Sequence, residues 1–416
     1  MKAISPVKVL HVGLDFGNGK IPVGRLALRD RRIYFSYEPA FIEQGLEISP
    51  FMLPLKEGVT TFESSLFEGL PGVFNDSLPD GWGRLLFDRF TRSKGVLPDS
   101  LTPLDRLSAV GRFGLGALVY EPESETAIDG GLVDLDGIAS KVQKVFEGAS
   151  IEVLQELLSL NGSSAGARPK ALIGVSKDRR HLIHGVNILE KEFEPWLVKF
   201  PNTLDGIDAG SIEYVYALMA KEAGLLMTDV NLFSAGVGPG YFATKRFDRD
   251  GKKHVHMHTA AGLLHADFRS PSLDYQDLLS LTFMLTRDFR EVEKMYRLAV
   301  FNVLAHNRDD HAKNFSFLMD EQGEWRLSPS YDLSFSFGPG GEQSTTVMGE
   351  GRHPGVEDLL KLGLDAKLDE HHILEIIDRT RASLASWPEL AKQYGVEKEN
   401  LSLIAKQICP NHQGRI

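Results

Sequence analysis

Apolar positions in the first third of the chain come in short runs separated by turn residues. Residues 7–14 are largely apolar, with Val7, Val9 and Val12, and residues 15–20 then supply Gly17, Asn18 and Gly19. A second run spans 23–28, a charged turn spans 29–32, and a third run spans 33–37. Such spacing predicts a β-meander. A helical patch follows over 81–91. The acidic, glycine-ended stretch 121–131 predicts a boundary. Beyond it the period changes: Leu135, Ile138, Val142 and Val145, then Ile151, Leu154, Leu157 and Leu158, recur at helical spacing. A small-residue loop at 161–167 precedes expected strands at 171–175, 182–184, 196–200, 230–235 and 241–247, with an amphipathic helix over 211–224. From Leu273 onward the pattern is helical, broken by one hairpin. The expectation is an α+β protein divided into a β-rich N-terminal subdomain (1–125), a strand-bearing middle part (126–270) and a helical C-terminal lobe (271–416).

Composition adds exclusions. The chain has 416 residues, so more than one lobe is expected. Its net charge of −11 argues against extensive direct contact with duplex DNA, which selects basic surfaces. The one cysteine, Cys409, can form neither an internal disulfide nor a zinc cluster and fits a reducing cytoplasm. No targeting segment and no apolar run near about 18 residues is present, so no membrane span is expected.

The most informative stretch is 290–334. Val292, Met295, Leu298, Ala299 and Val303 place an apolar stripe on a helix ending near His306. The loop Asn307-Arg308-Asp309-Asp310-His311-Ala312-Lys313-Asn314 follows, then a hairpin, then Tyr331-Asp332. Phosphoryl transfer needs a carboxylate at the attacking hydroxyl and hard oxygen ligands for Mg²⁺. Asp309 and Asn314 have the spacing of a kinase catalytic loop, and Asp332 lies where a kinase carries its metal-binding aspartate. A helix end and hairpin with solvated acids is the alternative.

Upstream, Lys199 sits in the apolar strand Trp196-Leu197-Val198-Lys199-Phe200. It must find an anion if buried; an edge lysine reaching water is the alternative. Glu213 on the next helix is a candidate partner. Residues 161–170 form a small-residue loop that can approach phosphates but lacks the Walker A pattern. Lys245-Arg246-Phe247-Asp248-Arg249 ends another strand and reads as a surface turn, with positive charge carried toward substrate or partner as the alternative. Asp15-Phe16-Gly17 has no catalytic loop before it, Gly236–Gly240 lacks a dinucleotide-site context, and the alternating His254, His256 and His258, which could bind metal given an acid or cysteine partner, suggest a solvent-facing strand instead.

These segments together resemble the HipA family of toxin kinases. Leu78-Pro79-Asp80-Gly81-Trp82-Gly83 is similar to the family's N-terminal signature, and Ser163 to Lys170 to its glycine-rich loop. Val198-Lys199-Phe200-Pro201, Lys245 to Arg249, Asp309 to Asn314 and Tyr331-Asp332-Leu333 follow in the family's order. The resemblance implies a bilobal protein-kinase-like fold using ATP and Mg²⁺. It makes Asp309 the catalytic base and Asn314 and Asp332 the metal ligands. Lys199, His311 and Lys313 would hold phosphates, with Tyr331 close by. Ala165, Gly166, Ala167, Arg168, Pro169 and Lys170 would cover the nucleotide, and Thr259, Ala260 and Ala261 would lie near the adenine. Ser163, with Ser164 as second choice, would be autophosphorylated. The implied partners are a protein substrate such as an aminoacyl-tRNA synthetase, and a HipB-like helix-turn-helix antitoxin that carries the complex to DNA. A catalytically silent co-repressor module and a small-molecule phosphotransferase remain as alternatives.

Overall fold

The computed structural model describes residues 6–63, 65–123, 131–161, 166–185, 191–202, 205–270 and 272–409. The predicted meander is an antiparallel sheet of five strands in the order Thr60–Thr61, Arg32–Tyr37, Lys20–Arg29, Val9–Asp15 and Leu118–Glu121. Two-residue alternation turns Leu10, Val12 and Leu14 inward, where they meet Phe35, Phe74 and Tyr120. The Phe35 and Phe74 rings lie 4.9 Å apart. Burying each such ring contributes roughly 2–3 kcal/mol.

A second antiparallel sheet has the order Leu182–His184, Lys170–Ser176, Phe193–Lys199, Tyr241–Lys245 and Val230–Phe233. Alternation again decides what each strand shows. Trp196 and Val198 enter a core with Tyr241 and Ala243, while Leu197, Lys199, Phe242 and Thr244 face the opposite side, into a cleft. Helices Leu135–Glu147 and Ile151–Asn161 cover the core side. Helix Gly81–Ser93 joins them through Trp82 and Leu86, so this core reaches across the expected boundary near 125.

The helical lobe is built around helix Phe289–Leu304, whose Val292, Met295, Leu298, Ala299 and Val303 are buried as the stripe predicts. Helices Tyr275–Thr286, Val356–Asp365, Glu370–Leu384, Trp387–Gln393 and Lys398–Ile408 pack around it. Helix Ala209–Glu222 contributes Val215, Tyr216 and Met219 to this same core, although it lies before residue 271 in sequence. The predicted hairpin is Ser316–Met319 with Trp325–Leu327, and a third strand, His256–Thr259, adds to it. Among the described residues, no helix is long and apolar enough to cross a membrane.

Candidate active site

A cavity of about 670 Å³ lies between the second sheet and the helical lobe. Helix Phe289–Leu304 ends at Ala305, and His306 takes a left-handed conformation (φ 54°) that turns the chain into loop 307–314. This loop carries Asp309 to the mouth of the cavity and Asn314 to its wall. The Asn314 amide donates to the Asp309 carbonyl (2.7 Å), which fixes the two relative to each other. The hairpin returns the chain to Tyr331, whose hydroxyl donates to the Lys313 carbonyl (2.6 Å). Asp332 then also takes a left-handed conformation (φ 57°), a region aspartate tolerates at a cost of about 1 kcal/mol.

Lys199 reaches across from the sheet. Its Nζ is 2.5 Å from Glu213 Oε1 and 2.5 Å from Asp332 Oδ1. Arg168 bonds the other Glu213 oxygen at 3.2 Å and Asp205 at 3.2 Å. Glu213 is 1% exposed, so its charge is held by two cations in a dry setting. Burial alone would lower Lys199; Asp332 and Glu213 outweigh it and hold the ammonium above its ordinary value. Burial would raise Asp332, but Lys199, Lys170 and Arg168 hold it well below the usual carboxylate range. Lys170 is pushed down to about 8, by burial first and then by Lys199. Asp309 moves the other way. Though exposed at the mouth, its hydration is restricted by the cleft walls, and together with Asp332 they raise it above its ordinary value.

Asp310 points away from the cleft and is fully buried. It accepts from the Tyr275 hydroxyl (2.7 Å), Gln343 Nε2 (2.9 Å) and the N–H groups of Ser344 (3.0 Å) and Thr345 (3.2 Å). Burial still pushes it up to about 7. The loop is thus pinned to the segment that follows Asp332.

The expected residues divide plainly. Asp309, Asn314, Asp332, Lys199, Lys170, Gly166, Ala167, Arg168, Thr259, His311, Lys313 and Tyr331 all line the cavity. Pro169 is buried behind it, its carbonyl accepting from the Phe200 N–H (2.8 Å). Ala260 and Ala261 correct the expectation of an adenine contact: both are fully buried in helix Ala260–Leu264 and do not line the cavity. Ser163, Ser164 and Ala165 lie outside the described residues. The histidine strand is also corrected. His256 and His258 are fully buried, because the N-terminal lobe covers them: His256 meets the Ile48 carbonyl (2.9 Å), and His258 meets Ser49 Oγ (3.0 Å) and Asp76 Oδ2 (2.6 Å). That serine–histidine–aspartate chain resembles a hydrolase triad, but the 1% exposure of Ser49 leaves no room for a substrate. Arg246 and Asp248 form a buried ion pair (2.7 Å) rather than a surface turn.

Sequence reasoning did not single out Asp76, Asp205, Phe242 or Phe268 as cavity residues. Asp76 stands four residues before Asp80 of a recognised motif; the others carry no local signal.

Comparison with known proteins bears on this geometry. A family profile described as "HipA-like C-terminal domain" matches residues 162–388, and one described as "HipA N-terminal domain" matches 16–121. Y4mE of Sinorhizobium fredii (strain NBRC 101917 / NGR234), named as a candidate kinase, is 28% identical over 353 residues, covering 79% of this chain and 77% of its own length. Among solved structures, the fold matches the Shewanella oneidensis MR-1 toxin–antitoxin system HipA, HipB and operator DNA complex. The TM-score is 0.67 at 16% identity, over 96% of this chain and 95% of that one.

Proposed function

The chain belongs to the HipA family, and we propose that it is an ATP- and Mg²⁺-dependent serine/threonine protein kinase. The observation that carries this reading is convergence: Lys199, the loop bearing Asp309 and Asn314, and Asp332 come from three separate stretches of sequence and line one cavity.

The triphosphate of ATP fits between the cations of Lys170, Lys199, Lys313 and Arg168. Its base fits the apolar end, lined by Leu197, Ala217, Met227 and Phe242. Mg²⁺ takes oxygen ligands and keeps several waters, so the Asp332 carboxylate and the Asn314 amide oxygen suffice as protein ligands. When bound, the metal would neutralise charge building on the transferred phosphoryl group. Asp309 accepts the proton of the attacking hydroxyl as its oxygen bonds to the γ-phosphorus. The bond from that phosphorus to the bridging oxygen breaks, and ADP leaves. A carboxyl shifted upward, as Asp309 is, accepts that proton more readily.

The substrate is read as a protein hydroxyl, an aminoacyl-tRNA synthetase being one choice. Ser163, or failing that Ser164, is read as a site of autophosphorylation. A phosphate there would repel the nucleotide's own. The partner is read as a HipB-like antitoxin, with DNA reached only through it, which suits a chain of net charge −11. Incubation with γ-labelled ATP and Mg²⁺ should label the wild type, and Asp309→Ala should remove the label. An unlabelled wild type that still binds nucleotide would refute the reading.

A further inference from the structure

The motif Leu78-Pro79-Asp80-Gly81-Trp82-Gly83 takes no part in the transfer chemistry above. Its contacts give it another task. Asp80 immediately precedes helix Gly81–Ser93, in the N-terminal lobe. Its two carboxylate oxygens are divided: Oδ1 accepts from the Gly166 N–H, and Oδ2 accepts from Lys313 Nζ (2.8 Å). The Trp82 N–H donates to the Gly166 carbonyl (3.1 Å), so Gly166 is gripped at both of its backbone polar groups. Between them, Gly81 has φ 46°, and a Cβ there would lie 2.6 Å from the Gly166 carbonyl oxygen and 2.7 Å from Ala167 Cα. Only glycine permits that approach. On its far side the Lys313 ammonium lies 4.3 Å from the Phe268 ring centroid, which leaves it 8% exposed.

We propose that Asp80 is a positioning residue that latches the glycine-rich loop to the catalytic loop and thereby sets the protein's affinity for nucleotide phosphates. Through this carboxylate the N-terminal lobe touches both loops at once. Gly166 and Ala167 are held at the cleft wall, and Lys313 is held at the far end of the same carboxylate. The inference rests on the kinase reading for its ligand, though the latch itself exists without nucleotide.

Three variants separate the terms. Asp80→Ala removes both acceptors. Asp80→Asn keeps an oxygen for the Gly166 N–H but removes the charge facing Lys313. Gly81→Ala pushes the loop away with every charge in place, and serves if Asp80→Ala does not fold. Asp80→Ala and Gly81→Ala should each raise the KM for ATP about tenfold, with kcat at saturating ATP within about threefold of wild type. Without nucleotide, both should speed hydrogen exchange of the peptide 166–170 about tenfold, whereas Asp80→Asn should change it less than about threefold. KM and exchange within about twofold of wild type in the first two variants would overturn the latch. So would exchange in Asp80→Asn equal to that in Asp80→Ala, which would assign the effect to the charge facing Lys313. A wild type that transfers no phosphate would end the kinase reading, while the nucleotide-free exchange comparison would still decide the latch.

Discussion

Glu213→Gln tests the electrostatic frame of the cleft most sharply. The substitution keeps the side chain's shape and removes one charge. Glu213 lies 2.5 Å from Lys199 and 3.2 Å from Arg168, and at an effective dielectric of about 20 these contacts attract by roughly 7 and 5 kcal/mol before desolvation is counted. Desolvation cancels most of that. Removing one member of a buried pair costs about 3–5 kcal/mol. Here each cation keeps a second carboxylate, Asp332 for Lys199 and Asp205 for Arg168, so the low end, about 3 kcal/mol, is expected. Lys199→Met removes the partner. Urea unfolding of the two single variants and the double variant at neutral pH should give a coupling energy of about 2 kcal/mol. Glu213→Gln should also slow phosphoryl transfer, because Lys199 is then drawn wholly onto Asp332. A coupling energy below about 0.5 kcal/mol would refute the reasoning.

Two further outcomes concern buried groups outside that network. The Asp310 carboxyl titrates at about 7 in the folded protein, above the ordinary carboxylate value. The stability it contributes is therefore fully present below about pH 4 and lost as pH rises through about 7. Asp310→Asn should remove that slope, so unfolding free energies of wild type and variant should diverge between about pH 4 and pH 7; parallel curves would contradict the shift. Gly262→Ala would place a Cβ 2.4 Å from His258 Cε1 and 2.6 Å from Asp76 Oδ2. It should lower stability by about 1–3 kcal/mol, read as a lower thermal midpoint, and an unchanged midpoint would show that the buried Ser49–His258–Asp76 chain yields freely.

Much of this was legible in the residues. The apolar run Trp196 to Phe200 placed Lys199 inside a strand, and the 3.6-residue stripe of Val292, Met295, Ala299 and Val303 placed the loop that follows it. Both are local signals. What local pattern could not supply was the partner of each buried polar group. His256 and His258 alternate as an exposed strand would, and their strand is an edge of its own sheet. Ile48, Ser49 and Asp76, about two hundred residues earlier in the chain, close over that edge and bury them. Ala260 and Ala261 were misplaced for a related reason. Thr259 lines the cleft and caps a short helix by accepting from the Gly262 N–H, and the two alanines that follow are buried inside that helix. Lys199 with Glu213 was recoverable because only fourteen residues separate them.

The most direct test of the central claim is a structure of the protein with Mg²⁺ and a non-hydrolysable ATP analogue. The account predicts the metal on Asn314 and Asp332, the γ-phosphate beside Lys313, and the Asp309 carboxylate facing the open side of that phosphate. A nucleotide bound elsewhere, or one bound in the cleft with its γ-phosphate turned away from Asp309, would contradict it.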